Sequence, residues 1–165
     1  MKKWYACYTR SRAEKASAAR LERVEIECYL PLRKERRKWT DRIKTVEVPL
    51  FTSYVFVCVE EYEFYKTRLE GDLVGFVVFE GKPVPIPVEQ IEAVKQLVNA
   101  GTAMEPVPAD MKPGQKIEVV KGPLMGIKGE MVRHHGRHKM LVRFNSIGQG
   151  LLIEIEKEDI AVAIE

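Results

Sequence analysis

The chain is poor in the features that announce most functions. No apolar run in its 165 residues approaches the roughly 20 that a membrane-spanning helix needs; Val55–Val59 and Leu73–Phe79 are strand-sized. The start, Met1-Lys2-Lys3-Trp4-Tyr5, has basic residues with no apolar stretch behind them, so no secretory signal is expected. Cysteine is scarce: Cys7, Cys28 and Cys58 form neither a disulfide framework nor a zinc pattern, which points to a reducing cytoplasm and to buried core thiols. Phosphate loops, dinucleotide fingerprints and nucleophile elbows are missing, because the glycines of 122–129 lack a Gly-Lys-Ser/Thr ending and precede a strand. All three histidines fall in His134-His135-Gly136-Arg137-His138, with no cysteine or carboxylate beside them at ligand spacing. A basic turn is the expected reading there, with no metal, no cofactor and no enzymatic activity.

A net charge of +3, from 27 Lys/Arg and 24 Asp/Glu, excludes a histone-like protein and little more. Its distribution says more. Residues 1–100 carry 18 basic and 15 acidic side chains, whereas 101–165 carry 9 of each. Arg33, Lys34, Arg36, Arg37, Lys38, Arg42 and Lys44 crowd one stretch against only Glu35 and Asp41, with Trp39 among them. Such a stretch is either a solvated surface hairpin or an electrostatic contact for a phosphate backbone.

Hydrophobic periodicity divides the chain. Trp4–Thr9 alternates as a strand with Trp4, Ala6 and Tyr8 on one face. Ser11-Arg12-Ala13-Glu14 reads as a capping box opening a helix over about 12–24. Strands are expected at 26–31, 45–51, 54–59 and, buried, 74–79, with a short helix at 62–69. Pro83, Pro85 and Pro87 force an extended path before an amphipathic helix over 88–99. Residues 102–112, rich in proline and without period, read as a linker between domains at 1–101 and 113–165. The last domain holds five short strands and glycine turns, which suggests a small closed barrel. The fold class is α+β, an antiparallel sheet flanked by helices followed by a small β-barrel.

Two patterns then acquire a family. Pro113-Gly114-Gln115, Ile117–Val120, and the turn residues Gly122, Pro123, Gly126 and Gly129 resemble a KOW motif, the SH3-like barrel element of NusG-type transcription factors and several ribosomal proteins. Trp4-Tyr5, the helix after it, Pro49–Val57, and Gly75-Phe76-Val77 leading through Pro83, Val84 and Pro85 to a closing helix resemble the NusG N-terminal domain, in the same order and at matching spacing. The resemblance implies an elongation or antitermination factor that binds the clamp helices of RNA polymerase. It implies a polymerase-binding groove at Trp4, Tyr5, Phe51 and Tyr54, in keeping with the aromatic anchors that a helix-in-groove contact requires. It also implies nucleic-acid contacts: Arg10 and Arg12 toward the non-template DNA strand, and Arg36, Arg37, Lys38 and Arg42 in a hairpin toward upstream DNA. A ribosomal protein or another factor is the implied partner of the barrel, and the chain is expected to be a monomer.

Departures from the family pattern carry information as well. The usual Phe-Pro-Gly-Tyr or Phe-Pro-Asn-Tyr turn is Phe51-Thr52-Ser53-Tyr54 here, without proline or glycine. The barrel loop lacks the aromatic of Ser-Ile-Phe-Gly, since Ser146-Ile147 runs into Gly148, so contact with the factor Rho is not carried over and Ile147 is left as a substitute anchor. With its Trp-Tyr strand and Arg10, the opening is more similar to specialised antiterminators than to the general factor. The alternative reading is a KOW-type RNA-binding module of ribosomal kind, acting without polymerase.

Overall fold

A computed structural model describes residues 1–163, which divide into two compact units, Met1–Ile91 and the chain from Glu92 onward. The first contains β1 (Lys3–Tyr8), α1 (Glu14–Arg23), β2 (Cys28–Tyr29), β3 (Leu32–Lys38), β4 (Ile43–Pro49), β5 (Tyr54–Val59), α2 (Phe64–Glu70), β6 (Gly75–Phe76), β7 (Val78–Phe79) and β8 (Lys82–Pro83). Helix α3 (Val88–Asn99) spans the boundary, and β9 (Met104–Pro108), β10 (Gln115–Val119), β11 (Lys128–His134), β12 (Arg137–Phe144), β13 (Gln149–Ile153) and β14 (Ile160–Val162) follow. No helix among the described residues is long and apolar enough to cross a membrane.

A four-stranded antiparallel sheet, β2-β5-β1-β6, organises the first unit. Because side chains alternate along a strand, β1 and β5 present different residues to its two faces. Tyr5 and Cys7 join Val55, Val57 and Val59 in a core closed by Ala18 and Leu21 of α1, with Ile26 and Leu73. Phe64 of α2 and Phe76 of β6 pack edge-on or tilted around Tyr5. The registers Trp4↔Cys58, Ala6↔Phe56 and Tyr8↔Tyr54 put those six residues on the opposite face.

Two local expectations change in this unit. The capping box is not formed: α1 begins at Glu14 with Ala13 as its uncapped N-cap, because Arg10–Ala13 makes a turn of its own, with Ala13 N–H donating to the Arg10 carbonyl and Arg12 at φ +59°. The buried strand expected over 74–79 is broken. Gly75–Phe76 pairs with β1, and Val78–Phe79 leaves the sheet to pair with Lys82–Pro83 around Glu80 and Gly81, leaving Val74, Val78 and Phe79 exposed.

The second unit is a six-stranded antiparallel sheet in the order β14-β10-β11-β12-β13-β9. Consecutive residues Met140-Leu141-Val142 and Leu151-Leu152-Ile153 are all buried, so both faces of β12 and β13 are covered. One cover is the segment expected to be a linker. Its Met104–Pro108 pairs along β13, and Val107 joins Val132, Leu141 and Leu152, with Met111 packed against them. The following backbone is tied down by Arg143, whose guanidinium donates to the Ala109 and Met111 carbonyls and to Glu130, while Glu130 accepts from Gly114 N–H. Proline content read as a linker because Pro106 and Pro108 cannot donate to a ladder; on the edge strand β9 that loss is tolerated. The boundary between units accordingly lies in α3, where Gln96 Nε2 donates to the carbonyls of Pro123 and Met125.

The turn after β10 behaves as its composition predicts. Gly122 and Gly126 take φ +84° and +94°, and Gly126 N–H returns to the Val119 carbonyl. Gly129 meets a different demand: a Cβ there would lie 2.5 Å from the Leu141 carbonyl oxygen, so only glycine lets β11 approach β12 at that point.

Candidate nucleic-acid and polymerase interface

The four residues expected in an aromatic groove do not share one environment. Tyr5 is on the helix-covered face with its hydroxyl pKa raised, first by burial and then by Glu61 and Glu60, so it supports the core and cannot line a groove with Trp4. Trp4 and Phe51 are on the other side but buried, at 8% and 2% exposure, with the Phe51 ring edge-on to Phe56 at 6.0 Å. Tyr54 is half-buried at the end of β5 and meets the exposed Tyr8, ring centroids 5.2 Å apart. Burial first, and then the charge and hydrogen bond of Tyr8, raise the Tyr54 pKa, and the Tyr54 hydroxyl lies at the rim. Tyr8 was not among the residues expected in the groove. The alternation Trp4-Ala6-Tyr8 placed it on the right face, but its partner depends on the pairing with β5.

The turn joining Phe51 to Tyr54 is held from outside. Ser53 takes φ +66°, its N–H donates to Glu14 Oε2 at 2.8 Å, and its carbonyl accepts from Thr9 N–H at 2.9 Å. Glu14, which does not cap its own helix, is therefore committed to this turn and is 5% exposed.

The cationic residues separate into two groups. Arg12 lines a cleft of about 570 Å³ together with Lys15, Arg33 and Arg37, interspersed with Glu14, Glu35 and Glu47. Alternation along β3 puts Arg36 and Lys38 on the hairpin face opposite Arg37, and Arg37 pairs with Glu35 at 3.2 Å. Arg42 closes the hairpin tip, where its carbonyl accepts from Trp39 N–H and the Trp39 ring is 53% exposed. Arg10 contacts Asp72 at 3.5 Å with both side chains in solvent, a pairing of small energetic weight.

In the second unit, Ile147 is 6% exposed within a short 3-10 turn, Asn145–Ile147. The expectation that it serves as a surface anchor is corrected: its side chain is buried, and the turn ends at Gly148 with φ +65°. The histidine turn also differs from expectation, since the fold brings a carboxylate to it. Glu105 of β9 lies beside His134 and His135, with His134 Nε2 at 3.6 Å; Lys139 Nζ approaches the same carboxylate at 3.8 Å. The ammonium already balances that carboxylate. Burial pushes the thiols of Cys7 and Cys28 up, Cys28 to about 11. Such thiols stay protonated and are poor nucleophiles.

Fold and site together define a two-unit protein whose accessible chemistry is cationic and aromatic, the equipment of a macromolecule-binding factor. A family described as "Transcription termination factor nusG" matches residues 2–95. "Transcription termination/antitermination protein NusG" of Streptococcus pyogenes, serotypes M3 and M1, is 27% identical over 123 residues, covering 72% of this chain and 67% of that protein. A solved structure described as "Domain interaction in Thermotoga maritima NusG" superposes with a TM-score of 0.57 at 19% identity, covering 97% of this chain and 96% of that one, which speaks to the fold. The chain belongs to the NusG family of transcription factors.

Proposed function

We propose that this chain is an elongation and antitermination factor that binds the clamp helices of RNA polymerase through its first unit and promotes read-through at particular operons. The carrying observation is the Tyr8–Tyr54 pair, two rigid rings with polar rims at the sheet end, beside a turn pinned by Glu14 and Thr9. Rigid amphipathic aromatics are effective anchors because little side-chain entropy is lost on docking. Trp4 and Phe51, buried, act as the floor that sets the position of Tyr54, and Tyr5 acts through the core. Arg10 and Arg12 contact the non-template strand, and Arg36, Arg37, Lys38 and Arg42 meet upstream DNA. Binding a closed clamp better than an open one lengthens the processive state without covalent chemistry, by population shift. The second unit is a docking module for a ribosomal protein or another factor, and with Ile147 buried, contact with Rho is not part of the proposal.

The ribosomal-type alternative gains no support from the family match, which falls on the first unit rather than on the barrel. The test is transcription by purified polymerase on a template bearing a terminator. Added protein is expected to increase read-through, and Tyr8→Ala/Tyr54→Ala to weaken polymerase binding by roughly 10- to 100-fold, as for a pair of interface anchors. Increased termination, or binding indifferent to the double change, would overturn the proposal.

A further inference from the structure

We propose that Glu14 is a positioning residue for the polymerase-contacting turn, the element that lets Phe51-Thr52-Ser53-Tyr54 hold its shape without proline or glycine. The inference rests on the role proposed above for Tyr54. A turn of this kind is ordinarily specified locally, by a proline that presets φ and a glycine that accepts positive φ. Neither is present, yet Ser53 has φ +66°, a region that side-chain-bearing residues rarely enter unless their surroundings impose it. The imposing contacts flank that one residue: its N–H is held by Glu14 and its carbonyl by Thr9. The Glu14 carboxylate is excluded from water, which strengthens its hydrogen bond to the amide, and it stands at the N-terminus of α1, where negative charge is favoured. Tyr54 follows Ser53 directly, so the same bond that sets Ser53 sets the departure of the Tyr54 side chain toward Tyr8. Stiffness that is missing from the turn's own sequence is supplied from a helix 39 residues away in the chain.

The full-length chain provides two independent readouts. Amide hydrogen exchange of Ser53, followed by NMR, is expected to accelerate roughly tenfold or more in Glu14→Ala, the loss of a charge-assisted hydrogen bond, with Val57 in the sheet unchanged. Affinity for core RNA polymerase is expected to fall by about tenfold in the same variant, and adding Ser53→Gly to recover most of it, because glycine adopts positive φ unaided. Glu14→Gln, which keeps an acceptor oxygen, gives an intermediate loss and serves if Glu14→Ala does not fold. Unchanged exchange at Ser53, or affinity that Ser53→Gly fails to recover, would overturn the assignment. If the unmodified protein does not bind polymerase, the proposed function falls, and the exchange measurement alone upholds or overturns the role of Glu14.

Discussion

Two hairpins in this molecule look alike in sequence and do different work. Both β3–β4 and β11–β12 are antiparallel, long and basic toward the tip, with Arg36, Arg37, Lys38 and Arg42 on one and His134, His135, Arg137 and His138 on the other. The first forms a two-stranded sheet by itself, with its outer half in solvent. The second is the centre of a six-stranded sheet, where Met140 and Leu141 are fully buried. What separates them is coverage of the strand faces rather than the ability to form strands. The β3–β4 hairpin leaves its cations in solvent and buries little behind them; β11–β12 exposes its tip too, Arg137 included, but the buried stretch Met140-Leu141-Val142 of β12 behind that tip holds the unit together.

That contrast is most sharply tested by truncation. Leu141→Ala in β12 is expected to destabilise the second unit by about 2–5 kcal/mol, as a large core side chain removed from a packed site. Ile43→Ala in β4, where the side chain is 58% exposed, is expected to change stability by no more than about 0.5 kcal/mol. Urea unfolding of the two variants measures both; equal losses would erase the distinction between the hairpins.

A smaller effect is expected from the ion pair that ties β11 to β12. The pKa of Glu130 is lowered, first by the hydrogen bond from Arg143 and then by the Gly114 amide and nearby cations, with burial opposing. Arg143→Ala removes bonds to Glu130 and to two carbonyls, a loss of about 1.5–3 kcal/mol for charge-assisted hydrogen bonding. Since Glu130 is more acidic folded than unfolded, its contribution is fully present above the ordinary carboxylate range. It disappears as pH falls through the lowered value, where the unfolded chain has already bound its proton. Thermal melts between about pH 6 and pH 3 should therefore show a steeper acid loss in the native protein than in Glu130→Gln.

The least effect on stability, and the largest on binding, belongs to the open hairpin. Replacing Arg36, Arg37, Lys38 and Arg42 by serine is expected to leave the melting temperature nearly unchanged. The same change should lower the salt dependence of duplex DNA binding by about 0.9 log units per log salt for each phosphate that is no longer neutralised. Affinity measured across a salt series gives the slope; an unaltered slope would show that these cations do not meet phosphates.

Much of this architecture was legible because it is local. The amphipathic period of 88–99 matches α3, the β-rich composition of 54–59 matches β5, Gly122 and Gly126 take positive φ, and Gly129 sits where a Cβ would meet a carbonyl oxygen. Misreadings occurred where distant chain segments decide. Glu14 has the spacing of a capping residue, and no local signal says that Ser53 is beside it. Pro106 and Pro108 have the composition of a linker, and only the vacant edge of β13 makes Met104–Pro108 a strand. Tyr5 is one residue from Trp4 and sits on the other face of the sheet, so aromatic identity alone could not assign it to a groove.

Periodicity, turn chemistry and motif order thus determined the two-unit α+β plan and the family, since these depend on spacings of a few residues that the chain carries within itself. Tertiary structure decided which aromatics are accessible, which cations share a cleft and what holds Ser53 at positive φ. The physical reason is that burial and hydrogen-bond partners are set by pairings such as Tyr8 with Tyr54 and Glu14 with Ser53, and no local preference encodes pairings between segments some forty residues apart.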